Sequence, residues 1–152
     1  MNFKDHTDHK NTAKLRVYEL KSQKGPECPF CDLEKKEPII ASNETAYAVA
    51  DGFPVTPLHM LIIPRRHTLD YFTMTAQERR DAEDLIIHLR NKIMSEDPTV
   101  AAFNIGINCG VAAGQSVMHA HFHLIPRRKG DTKNPRGGVR GVIPCEHATE
   151  HR

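Results

Sequence analysis

Three histidines alternate with other residues in His119-Ala120-His121-Phe122-His123. On a strand, alternate side chains share one face, so the imidazoles would line one side at intervals of about 6.5–7 Å. Met118, Ala120, Phe122 and Leu124 would form the opposite, apolar face. The chain carries 10 histidines in 152 residues, and chance alone rarely sets three in strict alternation. Two chemistries use such a row. His-x-His on a strand can chelate zinc, with further ligands from elsewhere. Alternatively one imidazole is a nucleophile that the others orient. A neutral ring suits that role near pH 7, because its unperturbed pKa is about 6.5. One nitrogen attacks while the other donates its proton to a fixed acceptor, which sets the tautomer.

The residues upstream favour a phosphate as the target. Gly114-Gln115-Ser116 precedes the histidines. A glycine turn can present successive backbone N–H groups to an anion, and the Ser116 hydroxyl and Gln115 amide add donors. Attack by a histidine nitrogen on phosphorus would expel a leaving group, and water would then cleave the histidine adduct. A rival reading makes the histidine triplet the ligands of a hydrolytic zinc. It lacks an Asp or Glu near the triplet to act as base. A third reading is an interaction protein that binds the phosphate-bearing ligand without turnover as its role.

Cys28-Pro29-Phe30-Cys31 is a second chemical motif. A C-x-x-C pair is either a redox dithiol or half of a zinc site. No thioredoxin-like strand–helix–strand pattern surrounds it, and two thiolates fall short of the four ligands of structural zinc. Cys109 reads as a buried or loop thiol, Cys145-Glu146-His147 as a weak metal motif, and His6 and His9 as part of a solvated tail.

These groups need elements to position them. Residues 45–50 and 58–63 read as strands, the first stopped by Asp51-Gly52 and the second by Pro64. Thr75-Ala76-Gln77-Glu78 is a capping box. Ala82, Leu85, Ile86, Leu89 and Ile93 then repeat at helical spacing up to Pro98, and His88 falls off that stripe. Residues 100–107 and 117–125 read as further strands, and Asp32 to Lys36 as a short N-terminal helix. Strands, a long helix, then more strands predict an α+β fold with a mainly antiparallel sheet. Residues 1–13 read as a disordered tail and 14–152 as one domain, with a Gly/Pro/Arg-rich segment from about 127.

Composition narrows the function. Lys+Arg 21 against Asp+Glu 19 gives +2, which selects neither nucleic acid nor membrane. The cations crowd locally, at Arg127, Arg128, Lys129, Arg136 and Arg140. No run approaches the ~20 apolar residues of a membrane span. No secretory-type apolar run follows Met1, so a reducing cytoplasmic setting is expected, with thiols or metal ligands and not disulfides.

His119 to Ile125 resembles the His-φ-His-φ-His-φ-φ signature of the histidine triad nucleotide hydrolases and transferases. The likeness includes Asn108, Gly110 and Gly114-Gln115-Ser116-Val117, and reaches back to Asp51 and to Pro57-Leu58-His59-Met60-Leu61-Ile62-Ile63-Pro64. It spans about residues 28 to 144. The stretch from Pro135 to Pro144 resembles a bacterial branch near the dinucleoside polyphosphate hydrolases. The resemblance implies a histidine triad fold with His121 as nucleophile, His119 and His123 as its flanking partners, and His59 as a supporting histidine. It implies that Asp51 binds a ribose hydroxyl. Asn108, Gln115 and Ser116, with Gly114 in their loop, would contact phosphate and leaving group. It implies a structural zinc held by Cys28, Cys31, His67 and His119, so that His119 would brace His121 from outside the reaction. No organic cofactor is expected, and a homodimer is. The substrate would be a small nucleotide, either a dinucleoside polyphosphate or an adenosine phosphoramidate.

Overall fold

The computed structural model describes residues 4–5 and 28–143. Most of the expected tail, with His6 and His9, lies outside the described residues, as does Cys145-Glu146-His147. Six strands form one sheet: β1 (Lys4–Asp5), β2 (Ala41–Ser42), β3 (Ala46–Ala50), β4 (Met60–Pro64), β5 (Val100–Ile107) and β6 (Phe122–Arg128). Their order is β1-β2-β3-β4-β6-β5, and every neighbouring pair is antiparallel. The helices are α1 (Leu33–Lys36) and α2 (Ala76–Glu96). The α+β architecture is the one expected. Lys4–Asp5, inside the segment read as tail, pairs with Ala41 and Ser42. Among the described residues, no helix is long and apolar enough to cross a membrane.

The capping box of α2 forms as its sequence requires. Glu78 N–H donates to the Thr75 hydroxyl at 3.1 Å, and Thr75 N–H donates to the Glu78 carboxylate at 2.8 Å. The helix gives way to extended backbone at Asp97, just before Pro98. Ala82, Leu85, Ile86, Leu89 and Ile93 pack on one face of the sheet, against Met60, Ile62, Ala120, Phe122 and Leu124. Burying each large aliphatic side chain contributes about 1.5–3 kcal/mol. This layer fixes β4 and β6 side by side. His88, off the stripe, is half-buried.

The other face carries a second cluster: Cys28, Phe30, Leu33, Tyr47, Val49, Leu61, Ile63 and Val117. With apolar neighbours on both faces, β4 reads as an unbroken apolar run. The Tyr47 hydroxyl donates to the Phe30 carbonyl at 2.8 Å, and Arg65 pairs with Glu34 at 2.7 Å. These bonds seat the C-x-x-C segment on the face where the histidines emerge.

Two strands differ from expectation. The second begins at Met60, because Leu58 adopts φ 67 and breaks the extended run. The last begins only at Phe122 and continues to Arg128. Residues 117–121 do not join the ladder. His119 N–H turns back to the Val117 carbonyl at 2.8 Å, and Ala120 N–H donates to Thr68 at 2.7 Å. Conversely, Arg127 and Arg128 belong to the strand and not to a loose arm.

Candidate active site and metal cluster

Only His123 of the triplet sits on a regular strand, opposite Leu61 of β4 and Gly106 of β5. It meets two groups that flank the β3–β4 connection. Asp51 follows β3 and donates its N–H to the His59 carbonyl at 2.9 Å. His59 precedes β4 and directly follows the left-handed Leu58, a conformation uncommon for a bulky residue. His59 Nε2 lies 3.0 Å from His123 Nδ1 and 3.3 Å from Asp51 Oδ2, and His123 Nδ1 lies 3.6 Å from the same oxygen.

The protons in this cluster can be assigned. Val55 N–H donates to His59 Nδ1 at 3.3 Å, so Nδ1 holds a lone pair and Nε2 carries the hydrogen. That hydrogen points at His123 and Asp51. Burial pushes His59 below the ordinary imidazole pKa, against the pull of Asp51. Burial alone would raise Asp51, but the adjacent His123 and the hydrogen bond from Phe53 N–H hold it below the ordinary carboxylate value. The result at neutral pH is a carboxylate beside a neutral, donating imidazole.

His121 is buried, with its Nδ1 2.8 Å from the His119 carbonyl oxygen. A carbonyl only accepts, so Nδ1 is protonated and Nε2 carries the lone pair. Burial lowers its pKa and favours the neutral ring. The Phe30 ring packs edge-on against it at 5.1 Å between centroids, and the His123 ring lies at 5.2 Å. A neutral imidazole with one free nitrogen is competent as a nucleophile.

His119 faces elsewhere. It is fully buried, and its Nε2 lies 2.8 Å from the Pro64 carbonyl, where it takes over from the ladder that ends at Ile62. Its Nδ1 therefore holds a lone pair, 3.5 Å from Cys28 Sγ and 3.7 Å from Cys31 Sγ. His67 Nδ1 lies 3.2 Å from Cys31 Sγ. These four donor atoms all lie within 4.8 Å of one another. A tetrahedral zinc with bonds of about 2.0–2.3 Å separates its donors by roughly 3.3–3.8 Å, so the set fits that ion. Both cysteines are free thiols. Desolvation and the hydrogen bond with Cys28 push the Cys31 thiol up to about 11, opposite to a redox cysteine whose thiolate is favoured.

The three rings of the triplet thus do not converge on one point. A hydrolytic zinc held by the triplet itself is not what the structure brings together. The loop is likewise only partly as anticipated. Gly114 has φ 88, a region open to glycine and strained for other residues. Asn108 Nδ2 lies 3.8 Å from the position a Cβ on Gly114 would occupy. Ser116 is exposed. Gln115, anticipated as a phosphate donor, is 3% exposed and turned inward. Its amide donates to the carbonyls of Leu69 at 2.6 Å and Val117 at 3.1 Å, and its oxygen accepts Gly110 N–H at 2.7 Å. Two of the five clustered cations are also engaged: Arg127 pairs with Asp131 at 2.7 Å and Arg128 with Asp97 at 2.6 Å. The sequence does not point to Thr68 or Phe30 as contributors. Thr68 acts through a backbone carbonyl, which leaves no residue-type signal, while Phe30 lay within the C-x-x-C motif.

Comparison with known proteins converges on one group. Residues 32–130 match the HIT domain model. A bis(5'-nucleosyl)-tetraphosphatase (asymmetrical) of Schizosaccharomyces pombe is 37% identical over 78 residues, covering 51% of this chain and 42% of that protein. An AP-4-A phosphorylase of Mycobacterium tuberculosis is 26% identical over 117 residues, covering 72% and 58%. A zinc-bound histidine triad family protein from Mycobacterium smegmatis superposes with a TM-score of 0.65 at 30% identity, covering 71% of this chain and 80% of its own.

Proposed function

The chain belongs to the histidine triad (HIT) family, and within it we propose a nucleotide hydrolase or nucleotidyl transferase that works through a covalent nucleotidyl-histidine. The observation that carries this reading is the hydrogen bond from His121 Nδ1 to the His119 carbonyl, which leaves His121 Nε2 with the free lone pair. In the proposed reaction, Nε2 attacks the α-phosphorus and forms a P–N bond. The P–O bond to the leaving group breaks, and that group departs with the electron pair. An acceptor oxygen then displaces His121. His123, linked to His59 and Asp51, stands beside the phosphate to exchange a proton with the leaving group. The exposed Ser116, with Asn108 near Gly114, supplies donors to the phosphate oxygens. The Asp51 carboxylate, already engaged with Phe53 N–H, keeps lone pairs for the ribose hydroxyls.

Dinucleoside polyphosphates are the favoured substrates, given the two named relatives, and adenosine phosphoramidates are the rival class because both present an α-phosphorus. Water as acceptor makes the protein a hydrolase, and inorganic phosphate makes it a phosphorylase. Cys28, Cys31, His67 and His119 would hold a structural zinc, whose contribution when bound is to fold and orientation. We further propose a homodimer, since β5 is a sheet edge that leaves Ile105 exposed and α2 exposes Ile87 and Met94. Static light scattering should give twice the mass of one chain at micromolar concentration, and one chain's mass would refute the dimer.

The decisive experiment mixes the protein briefly with diadenosine tetraphosphate and records the intact mass. Wild type should carry one added adenylyl group, and His121→Ala should carry none. Repeating turnover with inorganic phosphate present separates the acceptors: ADP and ATP mark a phosphorylase, AMP and ATP a hydrolase. Normal turnover by His121→Ala would sink the covalent reading.

A further inference from the structure

His119 bonds in two directions at once. Its side chain reaches into the thiol cluster, with Nδ1 at 3.5 and 3.7 Å from the two sulfurs and Nε2 on the Pro64 carbonyl. Its main-chain carbonyl accepts His121 Nδ1–H at 2.8 Å. The flanking residue Ala120 is pinned by its N–H to the Thr68 carbonyl, next to the cluster's His67. The bend at residues 117–121 lies outside the strand ladder, so these side-chain and loop bonds hold it in place of sheet pairing.

We propose that His119 is a positioning residue through which occupancy of the Cys28, Cys31, His67 and His119 cluster by zinc selects the attacking tautomer of His121. This rests on the reading of His121 as nucleophile. A ligand bond at Nδ1 fixes the His119 ring, and the ring fixes its own backbone, one residue's length from the carbonyl in question. With that carbonyl held, His121 Nδ1 must carry the proton and Nε2 is free. With it released, no other hydrogen bond seen among the described residues enforces that choice, and the rings populate both tautomers. Cys31 is the exposed one of the two cysteines, so the cluster can be altered there with little loss of packing. Removing a group that orients a ring in this way typically costs 10–100-fold in activity.

The test uses the full chain, labelled with 15N-histidine and loaded with zinc. Nitrogen shifts of His121 should report one tautomer in wild type and a mixture in Cys31→Ser, with folding checked by far-ultraviolet circular dichroism. Zinc affinity should fall in that variant, kcat should fall at least tenfold, and KM should stay within about twofold. Cys31→His, which restores a nitrogen ligand, should recover zinc, the single tautomer and most of kcat. Unchanged His121 shifts in a folded, zinc-free protein would overturn the proposal. If Cys31→Ser does not fold, the comparison is made on wild type stripped by a chelator. Loss of the entire fold there also overturns it, because the ion would then hold the domain and not this ring. The tautomer is read without substrate. A single tautomer lost with zinc, in a protein that forms no adenylyl adduct, would therefore defeat the nucleophile reading and leave the coupling standing.

Discussion

Gln115 offers the sharpest contrast between a catalytic contact and a brace. A side chain that touches phosphate can be cut back with little effect on stability. Gln115 instead closes three hydrogen bonds inside the protein, to Gly110 N–H, the Leu69 carbonyl and the Val117 carbonyl. Gln115→Ala orphans the Gly110 donor and both acceptors at a site where the side chain is 3% exposed. A buried group left unpaired costs about 1–3 kcal/mol, less for a carbonyl that water can reach. The sum is about 2–4 kcal/mol, against a typical domain stability of 5–15 kcal/mol. A loss near 3 kcal/mol lowers Tm by about 6–12 °C for a chain of this size. Gln115→Glu should not rescue it, because a carboxylate oxygen would face two carbonyls. Thermal and urea unfolding without nucleotide reads the effect directly. A Tm within about 1 °C of wild type, with activity lost a hundredfold, would refute the brace and restore the phosphate contact.

Other outcomes follow from the same geometry. Asp51→Asn should weaken ribonucleotide binding by roughly tenfold or more, in line with one lost buried hydrogen bond, and deoxyribonucleotide binding much less; equal losses for both sugars would mean that Asp51 acts on the fold. Cys28→Ser, which removes the buried thiol of the cluster, should lower both zinc content and Tm, and elemental analysis that finds no metal in unchelated wild type would count against the site. Stability should fall as pH drops from about 6.5 toward 4. Burial lowers the pKa of His59, His121 and His119, the last to about 4, so the unfolded chain binds more protons throughout that window. A urea midpoint that is unchanged between pH 7 and pH 5 would contradict this.

The parts of the fold visible in the sequence were those governed by neighbours in the chain. Thr75 and Glu78 are three residues apart and cap α2 locally, and Pro98 stops it locally. The histidine alternation was equally visible, and Ala120, Phe122 and Leu124 do face α2 as that spacing requires. What could not be read was where the partners came from. Nothing near His119 announces that Pro64 and Thr68 will claim its ring and the next N–H, so a continuous strand was the natural but incorrect reading of residues 117–121. Gln115 looked like a free donor because Leu69, 46 residues away, is invisible to local pattern. Short strands such as β1 and β2 fail for the same reason, since two residues carry no periodicity and exist only through pairing.

Two clusters of potential metal ligands occur among the described residues, and their second nitrogens distinguish them. Donor separations alone do not, because 3.0–3.6 Å in the Asp51, His59 and His123 set is as compatible with an ion as 3.2–3.7 Å in the thiol set. Val55 N–H, however, forces a lone pair onto His59 Nδ1 and so a proton onto Nε2, the nitrogen that faces its partners. That position cannot also bind a cation. At His119 the Pro64 carbonyl does the reverse, drawing the proton to Nε2 and turning the Nδ1 lone pair toward the sulfurs. One cluster is therefore suited to the proton exchange proposed for it and the other to the proposed zinc. His121 lies between them in the chain, and its Nδ1 proton is held by the carbonyl of His119, a member of the second cluster. A backbone carbonyl or N–H at each histidine thus sets which ring nitrogen offers a lone pair and which a proton.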